Sequence, residues 1–488
     1  MKTKFLPLVL IFSFFTVILQ AQSLVWHKSI QSTGVNLRGA AVVLSQQIVD
    51  FPSAGKVVVH FDGVFTADDG DRIVLAASNQ PNWGTNNDNI GLLVPDAAAN
   101  RRSFSHTRSY DVVAGADTFY AVGQNYVDEA GSGIANIYAS LSVEFFPTSG
   151  TAATVNQDIY YNGNLRGSTV NLGSLNINPT VAGKMVVRFD GYVHSDVGDL
   201  IVVAANNAVS WGSNDGNVSV EAANATSRFL PFSHTRVYDV TAGAYTYYAV
   251  GENYVNTSGS GNAYIYGNLS AEFLPTTGPT ATFTGLSKTG VAIRTNAVAL
   301  DSVTLTAPTD GKVLVTFDGN CNSDLGDRIV LAASDTRDWG TNADNVNVEA
   351  PSAVVDVNSF SHTRSYDVTA GTHTYYAVAQ NYVETGGSGS ASIYGSLTAK
   401  FYANASTGVK EITTTEFNMF PNPTSGKINI SLAGPAGSLE IKLADMNGRI
   451  IKNEKMDNAN SYQLNVADLA AGMYFVTVNG TVKRIVKE

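Results

Sequence analysis

The sequence predicts an all-β protein of three tandem β-sandwich modules followed by a smaller C-terminal sandwich. Three observations carry this. Trp83, Trp211 and Trp339 stand 128 residues apart, as do His106, His234 and His362 and the Phe-Asp-Gly triplets at Phe61, Phe189 and Phe317. The dominant hydrophobic period within each copy is two, the signature of strands. No stretch carries a long helical stripe. A 128-residue repeat is too long for a solenoid unit, so each copy is expected to be a self-sufficient domain.

The elements of the first module follow in order. Val42 to Val49 and Asn89 to Val94 are weak strand patterns, whereas Val57, Val59 and Phe61 alternate clearly after a Gly55-Lys56 turn. Ile73 to Ala77 is apolar on both faces, as a central strand would be. Phe104 to Val112 and Thr118 to Val127 flank Ala114-Gly115. In the last strand Ala135, Ile137, Ala139, Leu141, Val143 and Phe145 alternate with Asn136, Tyr138, Ser140, Ser142 and Glu144, which reads as one buried and one wet face. About eight short strands in each module suit a jelly-roll or Greek-key sandwich. The modules are expected at residues 24–147, 153–275 and 281–403, with the C-terminal domain at 412–488. The connectors at Thr148–Thr151 and Thr276–Thr280 are short, which predicts a string of beads of limited flexibility.

Charged residues are 15 % of the chain, glycine is raised at 44 residues and the net charge is −11. An acidic chain offers no basic patch for a phosphate backbone, so nucleic acid is excluded as a partner. Met1 to Ala21 reads as a secretory signal: Lys2 and Lys4, an apolar Leu6 to Leu19, and a small residue before Gln22. The apolar run is too short for a comfortable membrane span, and no later stretch approaches one. Cys321 is the only cysteine, which excludes an intrachain disulfide, and it reads as a packing residue because the equivalent positions are Phe65 and Val193.

Three polar sets recur and are the candidate sites. The turn Asp68, Asp71, with Asp196, Asp199 and Asp324, Asp327, places two carboxylates on one glycine turn. That suits a calcium ion with Asn86 or Asn89 nearby, or equally a turn whose carboxylates cap backbone N–H groups. Trp83, Trp211 and Trp339 in Asn-rich loops suit a sugar-stacking platform or an indole plugging one end of the sandwich. His106 and Arg108, with His234, Arg236 and His362, Arg364, lie between aromatics on one strand face. They suit a pocket for an acidic or glycan ligand, or a structural network pairing Arg108 with a carboxylate such as Asp62 or Asp71. Ser105 and His106 are strand neighbours facing opposite ways, so they form no triad, and no Gly-x-Ser-x-Gly, His-Glu-x-x-His or phosphate loop occurs.

The aromatic last strand and the Gly-Asp turn resemble, in pattern alone, the jelly rolls of the tumour-necrosis-factor and complement-head superfamily. The C-terminal resemblance is more specific. Pro421-Asn422-Pro423, the Asn447-Gly448-Arg449 hairpin turn, Gly472-Met473-Tyr474-Phe475-Val476 and a final Lys483 to Lys487 run follow in order. These closely resemble the C-terminal sorting domain of the type IX secretion system. The resemblance implies a Bacteroidota source, handling by an outer-membrane translocon and sortase machinery, and release or anchoring at the cell surface. The sequence thus predicts a non-enzymatic adhesin that binds glycans or surface polysaccharide through three weak sites whose linkage raises avidity. The alternatives are a structural surface-layer or matrix spacer and a polysaccharide hydrolase. A binder requires exposed aromatics beside clefts, a spacer flat polar faces, and a hydrolase a deep carboxylate cleft.

Overall fold

A computed structural model describes residues 23–85, 88–94, 101–127, 131–213, 216–222, 229–255, 259–276, 278–341, 344–349, 357–383, 388–404, 417–432, 438–445, 449–457, 461–478 and 481–488. The signal segment, Asn86 and the Asn447-Gly448 pair lie outside the described residues. In module one the strands are β1 (Leu24–Asn36), β2 (Val42–Phe51), β3 (Gly55–Thr66), β4 (Arg72–Ser78), β5 (Ile90–Leu93), β6 (Arg101–Val112), β7 (Gly115–Val127) and β8 (Ile134–Pro147). They form two antiparallel four-stranded sheets, ordered β1-β8-β3-β6 and β2-β7-β4-β5. This order, first strand beside last in one sheet and second beside seventh in the other, is jelly-roll wiring. The first strand, Leu24–Asn36, is the one element with no clear alternating pattern in the sequence.

Module two repeats the plan. Its strands β9 to β16 are Ala153–Asn164, Val170–Ile177, Gly183–Ser195, Leu200–Asn206, Val218–Glu221, Leu230–Val240, Tyr245–Val255 and Asn262–Pro275. In module three β17 to β24 are Thr280–Ala292, Val298–Ala307, Gly311–Ser323, Arg328–Ser334, Val346–Glu349, Val357–Val368, Gly371–Val383 and Ser390–Ala403. Both keep the sheet orders of module one.

The Phe-Asp-Gly triplet is explained by its place on β3. Phe61 enters the sandwich core, where its ring meets Phe104 edge-on at 4.7 Å. Asp62 points out of the opposite face. Gly63 holds φ +155°, and a Cβ there would stand 2.3 Å from the Tyr138 carbonyl oxygen. Only glycine lets β3 and β8 close to this spacing.

The string of beads is not what forms. Residues through Ala405 make one compact unit, and the outward faces of all three modules are buried against one another. Val58 and Phe146 of module one pack with Val186 and Leu274 of module two, and Val64 joins the core of module three. The supposedly wet face of β8 is therefore dry: Ser140 is 5 % exposed, Ser142 0 % and Glu144 2 %. Alternation records which residues face one sheet side, and it carries no information on whether that side meets water or another domain.

The second unit is a small sandwich. Its strands are β25 (Phe417–Phe420), β26 (Lys427–Leu432), β27 (Ser438–Ala444), β28 (Ile450–Asp457), β29 (Ser461–Asn465), β30 (Gly472–Val478) and β31 (Thr481–Lys487). Sheets β25-β26-β29 and β28-β27-β30-β31 enclose Phe417, Ile428, Ile430, Ile441, Leu443 and Val476.

Candidate functional site

The third strand of each module, β3, β11 and β19, turns a polar face towards the other two modules. Ser105 and Thr107 of module one both donate to Asp190 Oδ2 of module two, each at 2.7 Å. Ser233 and Thr235 donate to Asp318 of module three at 3.0 and 2.6 Å. Ser361 and Thr363 donate back to Asp62 at 2.9 and 2.8 Å. The ring therefore closes on itself, with each module donating to the next.

Beside this ring the repeat breaks its own symmetry. The equivalent positions His60, Arg188 and Thr316 are all buried, and Arg188 Nη1 donates to the His60 ring at 2.7 Å and lies within 3.4 Å of Thr316 through Nη2. Burial works to raise the Asp62 carboxyl, but His60 and the Ser140 hydroxyl outweigh it and hold Asp62 well below the usual carboxylate range. Burial opposes the charge on Arg188, yet Asp318 and Asp190 raise it further. A second trio, Glu144, Glu272 and Lys400, meets where Lys400 Nζ pairs with both carboxylates, at 2.7 Å to Glu272. Burial and the Glu144 charge push Glu272 up, while Lys400 and the Tyr402 hydroxyl overcome burial to keep Glu144 low. Neither the His60, Arg188 and Thr316 trio nor the Glu144, Glu272 and Lys400 trio was a candidate from the sequence, because equivalent positions with different chemistry do not register as a repeated motif.

The predicted site residues divide by place. His106, His234 and His362 are inside their sandwiches, and each Nδ1 accepts a backbone N–H, from Ala77, Ala205 and Ala333, at 2.9 Å. Burial pushes His106 and His234 down to about 3 and His362 down to about 4. Arg108 pairs with Asp88, and Arg364 with Asp344 at 3.0 Å, rather than with Asp62 or Asp71. Arg236 has Gly216 at the matching position and lies over the Tyr238 ring at 5.7 Å.

In the glycine turns, Gly70, Gly198 and Gly326 hold φ near +80°. Asp68 accepts from the Ser132 hydroxyl at 2.7 Å and from the Gly133 N–H at 3.0 Å, and Asp196 and Asp324 accept from Ser260 and Ser388 at 2.7 Å. These bonds hold the three carboxyls below their ordinary range. Asp71, Asp199 and Asp327 are 0 % exposed. Among the described residues no three His, Cys, Asp or Glu side chains are grouped to hold a metal ion. Cys321 lies in the core of module three, and burial pushes its thiol up.

Trp83 and Trp339 sit at seams between modules, and Trp211 holds the equivalent position in module two. Each is half-buried with a tyrosine edge-on against it: Trp83–Tyr126 at 6.0 Å, Trp211–Tyr254 at 5.9 Å and Trp339–Tyr382 at 5.9 Å. The indole N–H groups donate to Gln124, Glu252 and Gln380. The tyrosines are 56 %, 61 % and 59 % exposed, so each pair keeps a wet aromatic edge. Between modules one and two, Trp83 and Tyr126 border a cleft of about 150 Å³ with Arg72, Asn89, Tyr192 and Tyr266. A neighbouring hollow of about 90 Å³ shares Asn89 and Tyr266 and reaches His106 and Arg108. Between modules three and one, Trp339 and Tyr382 border a cleft of about 160 Å³ with Arg328, Asn345, Arg101 and Tyr138. The sequence marks the Trp loop, but the facing wall comes from another module, so spacing within one repeat cannot show it.

In the second unit the Pro-Asn-Pro segment is tied to the last strand. Asn422 Nδ2 donates to the Arg484 carbonyl, and Asn422 Oδ1 accepts the Val486 N–H, both at 2.9 Å. Asp445 and Arg449 close the β27–β28 hairpin, with Gly448 between them outside the described residues. Gly472 opens β30, opposite Lys487. Pro421 and Pro423 flank Asn422 at the surface.

Residues 418–488 match the family model of the secretion system C-terminal sorting domain. That segment is the type IX sorting domain, and it marks the protein for export to the outside or the surface of the cell. No curated protein matches the chain. Among solved structures, PNGase F, a glycosylasparaginase from Flavobacterium meningosepticum, is 13 % identical, with 52 % of this chain and 96 % of that chain covered at a TM-score of 0.26. The infectious bursal disease virus VP2 subviral particle is 9 % identical, with 78 % and 80 % covered at a TM-score of 0.19. Likenesses this low carry no argument for this chain.

Proposed function

We propose that the secreted chain is a non-enzymatic adhesin that binds glycans in the clefts at its module seams. The observation that carries this reading is the Trp–Tyr pair repeated in every module with its tyrosine open to solvent, and joined at two module seams by arginine and asparagine. An aromatic face stacks on the C–H face of a sugar ring, while guanidinium and amide groups bond its hydroxyls. Sites repeated on one rigid body raise avidity without any new contact. The spacer reading calls for flat polar faces, and the clefts beside Trp83 and Trp339 weigh against it.

The test is a glycan array probed with the mature protein, followed by titration of the best hit. The combined changes Trp83→Ala and Trp339→Ala are expected to lower its affinity at least tenfold while leaving the thermal midpoint within a few degrees. Unchanged affinity in that variant, or an empty array, overturns the reading.

A further inference from the structure

The three seams share their aromatic pair but differ in charge. At the seam of modules three and one, Arg101 and Arg328 line the same cleft. Arg101 Nη1 donates to Asn347 Oδ1 at 2.7 Å, so its hydrogen bond does not neutralise it. Arg328 has one carboxylate near, Glu349, at 3.7 Å, which is beyond hydrogen-bond contact. Its Nε is buried with no hydrogen-bond partner among the described residues. Burial and the positive charge of Arg328 both disfavour the charged form of Arg101. Among the described residues, two guanidiniums against one carboxylate leave the cleft positive beside an indole and a phenol.

At the seam of modules one and two the position of Glu349 is Leu93 and that of Arg101 is Phe229. Arg72 remains there, its guanidinium 4.4 Å above the Phe229 ring, with no carboxylate across the strand pair. At the third seam the same positions are Leu200, Glu221 and Val357, and Asn320 replaces Tyr192. The arginine is gone and the carboxylate stays. Charge at this trio of positions thus runs from two cations with one anion, to one cation, to one anion.

We propose that the cleft between modules three and one takes an acidic saccharide, bearing carboxylate or sulfate groups, with the cleft between modules one and two a weaker second site and the third seam, which has no arginine at these positions, weaker still. A planar guanidinium bonds such groups bidentately, and its charge counts for more in a half-enclosed cleft than in open water. This rests on the glycan-binding reading above and adds to it the chemical class of the ligand and the inequivalence of the seams.

The experiment is calorimetric titration of the mature chain with three probes: tetragalacturonate, a chondroitin sulfate tetrasaccharide and neutral cellotetraose. At least one acidic probe is expected to bind at least tenfold tighter than the neutral one, and to weaken severalfold between 50 and 500 mM NaCl. Arg101→Gln combined with Arg328→Gln is expected to cut acidic binding at least tenfold, Arg72→Gln to cut it less, and Arg328→Lys, which keeps the charge but loses the bidentate fork, to fall between the unchanged protein and Arg328→Gln. Calorimetry of each variant shows that it is folded, and if the double variant unfolds, Arg101→Gln alone serves. Equal or tighter binding of cellotetraose overturns the acidic assignment and leaves the glycan reading standing. Acidic binding that survives the arginine changes overturns the site. Failure of all three probes overturns the acidic assignment, and the array then decides the wider reading by itself.

Discussion

The two faces of the same strands obey different rules. Facing into each sandwich, Phe61, Phe189 and Phe317 are identical, as are Ile73, Ile201 and Ile329, and Leu141, Leu269 and Leu397. Facing the other modules, His60 becomes Arg188 and then Thr316, and Glu144 becomes Glu272 and then Lys400. A sandwich core needs only apolar volume of the right shape, so each copy solves the problem alike. Where three modules converge, three like residues would meet: three glutamates would repel, and so would three lysines. One lysine shared by two glutamates is open only to a chain whose repeats can diverge. Asp62, Asp190 and Asp318 stay alike because each faces two hydroxyls of a neighbour rather than one another.

Acid should break the sandwich interiors first. His106, His234 and His362 accept backbone N–H bonds and are held down to about 3 or 4, against about 6.5 in an unfolded chain. A depressed value means full stability above pH 6.5, lost as pH falls towards 4. At pH 5 each histidine forfeits on the order of 2 kcal/mol, giving the largest effect expected here. Thermal melts at pH 7.5 and 5.0 should show a steep drop, and a flat profile would contradict the buried acceptor role.

Exchanging residues between modules sharpens the contrast. Lys400→Glu installs what modules one and two carry and leaves three buried carboxylates without their cation. The expected loss is roughly 3–5 kcal/mol in urea titration. A loss below about 1 kcal/mol would mean that water reaches this point. Leu331→Val makes the same kind of exchange on the core side, since module two carries Val203. It should cost about 1 kcal/mol, the ordinary consequence of a small cavity. If the core exchange proved the more damaging of the two, the division between the faces would fail.

Much of the fold was legible in the chain. Period-two patterning and one doubly apolar run placed seven strands of module one, the 128-residue register carried them into the other copies, and the Pro-Asn-Pro to Gly-Met-Tyr-Phe-Val series marked the sorting domain. Leu24–Asn36 escaped because an edge strand beside β8 buries too few residues to alternate clearly. The site was less legible. Trp83 and Trp339 stood out by repetition, but Arg101 and Tyr138 lie hundreds of residues from the Trp339 they face.

The sequence by itself determined most of the strands, their repetition and the address at the C-terminus, since these depend on local patterning and on motifs within one segment. Tertiary structure alone decided that the modules close on one another, that the polar face of β8 is buried, and that the seams differ in charge. The physical reason is that a polar side chain is equally well satisfied by water or by a partner's carboxylate. Ser105 reads the same in either setting, and only the arrival of Asp190 at 2.7 Å distinguishes them.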